Sequence, residues 1–360
     1  MKPLKIKKIL FTENIFFLAF FIFQLVLLSV FSKFPAIIEQ YYSNGCYPII
    51  SKLNRIIFGW IPFSVGDLIY ISLSIYLLYW FYKNQKINWI EKVKHLFKIL
   101  VIGYFIFHLL WAYNYYRMPL YEKMNLRTDY RQEELLQFTK RLIYTSNKLQ
   151  FKLTHNVNKK VISPYKTTQI FRLAPLGYAD LKNTHPFFDY TNSSIKSSLF
   201  SYPLTYMGFG GYLNPFTNEA QVNDMPPSYN LPAIVCHEMA HQIGYSSESE
   251  CNFIGFLACT HNKNLFFQYA GYTYALRYCL AHIASKDQKE LKSILSTIHP
   301  GVLKNFQESE TFWSVHESMI NTGFEIFYDH FLKLNQQKEG MQSYSKFINL
   351  LINYEKKSSF

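Results

Sequence analysis

Seventeen consecutive residues, Ile15 to Phe31, carry no charge and only two polar side chains, Gln24 and Ser29. A helix of about 17–25 mostly apolar residues satisfies its backbone internally and crosses the hydrocarbon of a bilayer, which is where such a run is most stable. Two further stretches, about residues 62–82 and 99–116, reach the same length and carry Trp and Tyr near their ends, where amphipathic rings suit the interface. We therefore expect spans at about 15–31, 62–82 and 99–116, with Asp67 and His108 as the weak points of the second and third. The first is expected to stay uncleaved, because Ser32-Lys33-Phe34-Pro35 offers no small-x-small cleavage site.

Charge orients this set. Lys2, Lys5, Lys7 and Lys8 precede the first span, and Lys83, Lys86, Lys92, Lys94 and Lys98 lie between the second and third. Lysine-rich ends stay in the cytoplasm, so three crossings are expected to carry residues 117–360 outside the cytoplasmic membrane. The chain reads as a multi-pass membrane domain, 1–116, followed by an extracytoplasmic domain, 117–360. The first 98 residues hold twelve Lys and Arg against four acids, which is most of the net charge of +13. The basic balance thus reflects topology and membrane lipid, and with no basic stripe interleaved with aromatics a nucleic-acid partner is excluded. The five cysteines are odd in number and include no C-x-x-C, so they define no disulfide framework; Cys236, Cys251 and Cys259 sit on apolar helix faces as small buried hydrophobes.

In the second domain Asp129 with Gln132 predicts a helix start, and Ser163-Pro164 predicts another. Between Ile195 and Asn223 short apolar runs are broken by Pro203, Gly208, Gly210, Gly211 and Pro215, the only strand texture in the chain. Helical periodicity then returns at Leu231 to Gly244, Glu248 to Thr260, Leu265 to Ala284, about Phe306 to Leu334, and Ser343 to Tyr354, with an exposed turn at Gln336, Gln337, Lys338 and Gly340.

The chemistry lies in His237-Glu238-Met239-Ala240-His241, an H-E-x-x-H inside an apolar helical surround. Histidines at i and i+4 share one helix face about 6 Å apart and can offer both imidazoles to one Zn²⁺. Glu238 then faces the water on that ion as general base. Such a site needs a third protein ligand. Gly244 fits the metzincin pattern H-E-x-x-H-x-x-G-x-x-H, but the position of its third histidine is Ser247. Glu248 and Glu250 open the next helix; Glu250 is the favoured ligand, although Ser247 to Glu250 also reads as a capping box, and Glu248 is the reserve ligand or an acceptor orienting a histidine. Gly208, Phe209, Gly210, Gly211 and Tyr212 read as a sheet edge that binds extended substrate through its main chain. No oxyanion stabiliser follows from spacing, though Tyr328, His330 and His316 are candidates.

The run from His237 to Phe253, with its H-E-x-A-H-Q-x-G, E-x-E and Asn252-Phe253, resembles the signature of the bacterial family called domain of unknown function 3810. The stretch Gly208 to Asn223, Tyr113-Asn114-Tyr115-Tyr116-Arg117 and the late Leu332 to Tyr344 are similar to the same family, with Cys251 in place of its alanine. The resemblance implies a zincin-like membrane metallopeptidase. Taken together, the expectation is an α+β, mostly α protein with a small sheet: a zinc peptidase acting on a peptide or protein of the cell envelope. A zinc-binding scaffold and a hydrolase of a non-peptide envelope amide are the alternatives.

Overall fold

The computed structural model describes residues 2–334 and 344–358 of the chain. It is mostly helical, with one small sheet. Helix α1 (Lys2–Phe31) leads through a short α2 (Pro35–Ile37) and a π-helical segment (Ile38–Cys46) into α3 (Tyr47–Gly59). Then come α4 (Val65–Lys83) and α5 (Trp89–Leu110). Among the described residues three helices are long and apolar enough to cross a membrane: Asn14–Phe31 within α1, α4 and α5. Their limits follow local capping rather than composition alone. The Ser64 hydroxyl accepts from the Asp67 amide at 2.9 Å, starting α4 after Pro62, and the Asn88 side chain accepts from the Ile90 amide at 3.1 Å, starting α5 ten residues before the apolar run expected at 99. Beyond Leu110 the chain leaves the helix for a 3-10 turn, Ala112–Tyr116, so the last residues of the expected third span are not part of it.

After α6 (Leu120–Lys123), α7 (Gln132–Thr154) and α8 (Thr167–Thr184) come the strands β1 (Ile195–Ser197), β2 (Gly211–Asn214) and β3 (Glu219–Val222), with α9 (Ser201–Tyr206) inserted between β1 and β2. The Ser163-Pro164 pair forms the turn before α8 rather than its first residues, with Ser163 Oγ accepting from the Tyr165 amide at 3.2 Å. In the sheet β3 is central, parallel to β1 and antiparallel to β2. Strand β2 is therefore an edge. Helices α10 (Leu231–Gln242), α11 (Glu248–His261) and α12 (Leu265–Ala284) pack on this sheet and on α7 and α8 around one apolar core that includes Tyr178, Val235, Phe253 and Tyr269. The long helix expected over Phe306 to Leu334 is two helices, α14 (Pro300–His316) and α15 (Met319–Leu334), because Glu317 is extended and Ser318 Oγ accepts from the Asn321 amide at 3.4 Å. A short α13 (Gln288–Leu295) precedes them, and α16 (Tyr344–Ser358) closes the fold. Gln336, Gln337, Lys338 and Gly340, read as a turn, lie outside the described residues.

Packing is continuous across the boundary at residue 116. The C-terminal carbonyls of α10, which no turn of that helix can satisfy, are taken up by groups from the N-terminal segment. Gln242 O accepts from Ser51 Oγ at 2.7 Å, Tyr47 OH at 2.9 Å and Arg55 Nη1 at 3.1 Å; His241 O accepts from Trp111 Nε1 at 3.2 Å; Gly244 O accepts from Arg117 Nη1 at 2.7 Å. Two arginines at the negative end of a helix also suit its dipole. Gly244 itself has φ 89°, a left-handed C-cap, and any Cβ there would stand 2.8 Å from the Tyr47 ring. Glu219, fully buried at the start of β3, accepts from the Gly66 amide at 2.6 Å and the Val65 amide at 3.2 Å and so caps α4.

Candidate metal centre

Helix α10 begins with Leu231-Pro232, proline being suited to a first turn that needs no amide donor. It carries His237, Glu238 and His241 on the face turned to a cleft of about 1510 Å³. Helix α11 crosses it closely, since a Cβ on Gly255 would lie 3.0 Å from the His237 amide nitrogen. That approach brings Glu248 and Asn252, one turn apart on α11, onto the two histidines.

Each imidazole is held by its Nδ1. His241 Nδ1 lies 2.8 Å from the Tyr245 carbonyl, which only accepts, so Nδ1 carries the proton. His237 Nδ1 lies 2.7 Å from Asn252 Oδ1, which also accepts from Tyr274 OH at 2.6 Å, while Asn252 Nδ2 donates to Tyr278 OH at 3.3 Å. Both Nε2 atoms therefore present lone pairs, and they face each other at 3.2 Å. Glu248 Oε2 stands 3.2 Å from His237 Nε2 and 3.8 Å from His241 Nε2. The three atoms form the one group of His, Cys, Asp and Glu found among the described residues that could hold a metal ion. With those edges, the point equidistant from all three lies about 2.0 Å from each, the bond length of a small divalent ion to imidazole nitrogen and carboxylate oxygen. Without a cation or proton between them these lone pairs would only repel, so the donor set fits a metal.

The structure corrects the choice of acid. Glu250 is turned away: its Oε1 accepts from the Leu120 amide at 2.6 Å, at the start of α6. Burial pushes its pKa up to about 7, against the Leu120 N–H and Arg117, which act to lower it. It does not cap α11 either, since Ser247 makes no capping bond and instead pairs with Ser249 at 3.0 Å. Glu248 is the carboxylate brought to the histidines. Burial acts to raise its pKa, but with no metal bound, hydrogen bonds and positive charge from protonated His237 and His241 outweigh that and hold it well below the ordinary carboxylate range. Its other oxygen, Oε1, accepts from Tyr328 OH at 2.8 Å.

Glu238 is buried, and burial lifts its pKa above the ordinary glutamate value. Its Oε2 has no hydrogen-bond partner among the described residues. Gly211 lies directly against it: a Cβ there would stand 2.8 Å from Glu238 Oε1 and 2.7 Å from Gln221 O. Gly208, Phe209, Gly210 and Tyr212 line the same cleft, and β2 leaves one side without a strand partner. Tyr212 OH donates to the buried Asp67 of α4, which also accepts from the Leu199 amide at 2.7 Å. Among the other sequence candidates, Tyr328 and His316 line the cleft and His330 is exposed. Asn223 ties the turn before β2, donating to Phe209 O at 2.9 Å. Asn252 had no role assigned from sequence, although its place four residues after Glu248 was the available signal.

Residues 42–352 match the family model described as Protein of unknown function (DUF3810). The chain belongs to this family. Its membership bears out the resemblance of the motifs, and the matched stretch takes in Tyr47, Ser51, Arg55, Trp111 and Arg117 as well as α10 and α11. The helices that grip the end of α10 are therefore part of the family pattern, not an appended anchor. No curated protein and no solved structure matches the chain.

Proposed function

We propose that this chain is a membrane-anchored, zincin-like, zinc-dependent peptidase. The observation that carries this reading is the convergence of His237 Nε2, His241 Nε2 and Glu248 Oε2 beside a buried carboxylate, Glu238, on the wall of an open cleft. Three nitrogen and oxygen ligands with one position left open are the pattern of a catalytic zinc site, whereas a structural site closes all four. Among the described residues no fourth acid, cysteine or histidine joins the group. That argues against a scaffold that keeps metal only for stability.

Zinc held there supplies Lewis acidity, which acidifies water and polarises an amide carbonyl. The chain's own residues do the rest. Glu238 accepts the proton of the attacking water and returns it to the leaving nitrogen; its buried, unpartnered Oε2 leaves it free for both transfers. Asn252 and the Tyr245 carbonyl fix the two imidazoles with Nε2 towards the cleft. The open side of β2 offers main-chain groups to an extended peptide, and Gly211 lets that backbone come close to Glu238. With Lys83 at the end of α4, Lys86 in the connection and Lys92, Lys94 and Lys98 in the first turns of α5, the positive-inside rule favours this cleft on the outer side of the cytoplasmic membrane, facing envelope substrates.

The test is Glu238→Gln in the purified, zinc-loaded full-length protein, assayed against a peptide library. The variant is expected to keep its zinc and to lose at least about 10²–10⁴-fold in turnover. Undiminished cleavage by Glu238→Gln would rule the mechanism out.

A further inference from the structure

Three features place the cleft at the bilayer rather than above it. The first is that α3 is built inside out: Tyr47, Ser51 and Arg55 face the protein and hold α10, while Ile49, Leu53, Ile56 and Ile57 are exposed, and Trp60 just beyond its end is 79% exposed. In water such a helix would face the other way.

The second is α15, which presents two apolar arcs. Asn321, Phe324, Tyr328 and Phe331 line the cleft, and Thr322, Glu325, Asp329 and Lys333 form a polar stripe beside them. The outward arc holds Met319, Ile320, Ile326 and Leu334, all exposed, while Glu325 and Phe327, also exposed, stand at the rim of the cleft. On the cleft arc, Phe331 meets Phe107 of α5 at 6.4 Å between ring centres, so α15 adjoins a spanning helix.

Third, α4 and α5 are held by different parts of the fold at the end near the histidines. They meet where Trp80 stacks on His95 at 4.4 Å. At the other end α4 is tied to the sheet through Asp67, and α5 to the metal helix through Trp111. Tyr70 of α4 and Phe107 of α5 both line the cleft, so its wall extends into two spans.

The lining is graded as well. The charged side chains Arg277 of α12, Glu310 of α14 and Glu317 just beyond it stand among aromatic ones there, whereas α4 and α5 contribute only Tyr70 and Phe107 and α15 mainly aromatic rings. Helical walls spend their backbone bonds on themselves. An extended peptide entering between α4 and α5 would lose hydrogen bonds there. A hydrocarbon chain has no such bonds to lose.

We infer that the cleft takes an acylated peptide from the outer leaflet, with the peptide on β2 beside His237, Glu238 and Glu248 and the acyl chain running between Tyr70 and Phe107 under α15. This rests on the peptidase reading for turnover, but not for binding. The test uses the full-length protein in phospholipid vesicles, with one short peptide prepared with and without an N-terminal alkyl chain that carries a diazirine. Photolysis on the Glu238→Gln protein is expected to label Tyr70, Phe107 or Phe331. In the zinc-loaded wild type, kcat/KM for the acylated peptide is expected to be at least about tenfold higher, through KM, since the membrane raises its local concentration at the mouth.

Labelling confined to outward residues such as Leu78 and Leu100 would overturn the inference, as would equal kcat/KM for the two peptides. So would equally good cleavage of a non-acylated peptide bearing a leucine-rich segment. Labelling inside the cleft with no turnover of any peptide would uphold the binding inference and sink the peptidase reading. Turnover lost in Glu238→Gln, with labels only outside, would do the reverse.

Discussion

The Tyr328 hydroxyl donates to Glu248 Oε1 at 2.8 Å, leaving Oε2 of the same carboxylate to face His237 and His241. A residue of α15 thus orients a carboxylate carried by α11, and under the proposed function the helix over the cleft is coupled to the metal site. Partners of this kind typically contribute about 10–100-fold to metal affinity. Tyr328→Phe keeps the ring, which packs against Phe209 at 4.9 Å, and removes only the donor. Zinc affinity measured by chelator competition is expected to fall by that factor. An unchanged affinity would show that the hydroxyl does not act through Glu248.

In the proposed reaction Gly211 marks where an extended substrate approaches Glu238. Gly211→Ala puts a methyl 2.7 Å from Gln221 O and 2.8 Å from Glu238 Oε1, contacts that force the edge strand or the carboxylate to move. A shift of that size is expected to cost about 10²-fold in kcat and about 1–3 kcal/mol in stability, with zinc content unchanged. Steady-state kinetics beside metal analysis checks this, and wild-type turnover would contradict it.

Much of the core was legible before the structure. Helices α10, α11 and α12 combine helical periodicity with clear starts, and every strand falls within the one stretch of broken apolar runs. Helix α3 was not legible, because a helix with polar residues inward and apolar residues outward inverts the pattern of a soluble domain. Which acid faces the histidines was legible too: the structure brings up Glu248, the reserve in the sequence reading, and turns the favoured Glu250 towards Leu120. At 3.6 residues per turn, Glu250 sits about 200° round the helix from Glu248, whereas Asn252 sits nearly above it. Asking which acid shares a face with Asn252 would have selected Glu248.

Glu250 gives a pH signature separate from the metal. Its pKa is pushed up to about 7 by burial, against an ordinary value of 4.5. Between these values the folded protein holds a proton that the unfolded chain has released, so this stability is full below pH 4.5 and is lost as pH rises to about 7. Glu250→Gln, which can still accept from the Leu120 amide, removes that dependence. Thermal unfolding in detergent should show the variant gaining on wild type between pH 4.5 and pH 7, by on the order of 3 kcal/mol at most. Parallel profiles would contradict the raised value.

The central claim is the identity of the three ligands, and zinc content tests it most directly. Full-length wild type, Glu248→Ala and Glu250→Ala are purified alongside one another, equilibrated with limiting zinc and measured by elemental analysis. The wild type and Glu250→Ala are expected to retain about one zinc per chain and Glu248→Ala to retain almost none, as for loss of a ligand from a three-ligand site. Full zinc in Glu248→Ala, or its loss in Glu250→Ala alone, would contradict the assignment.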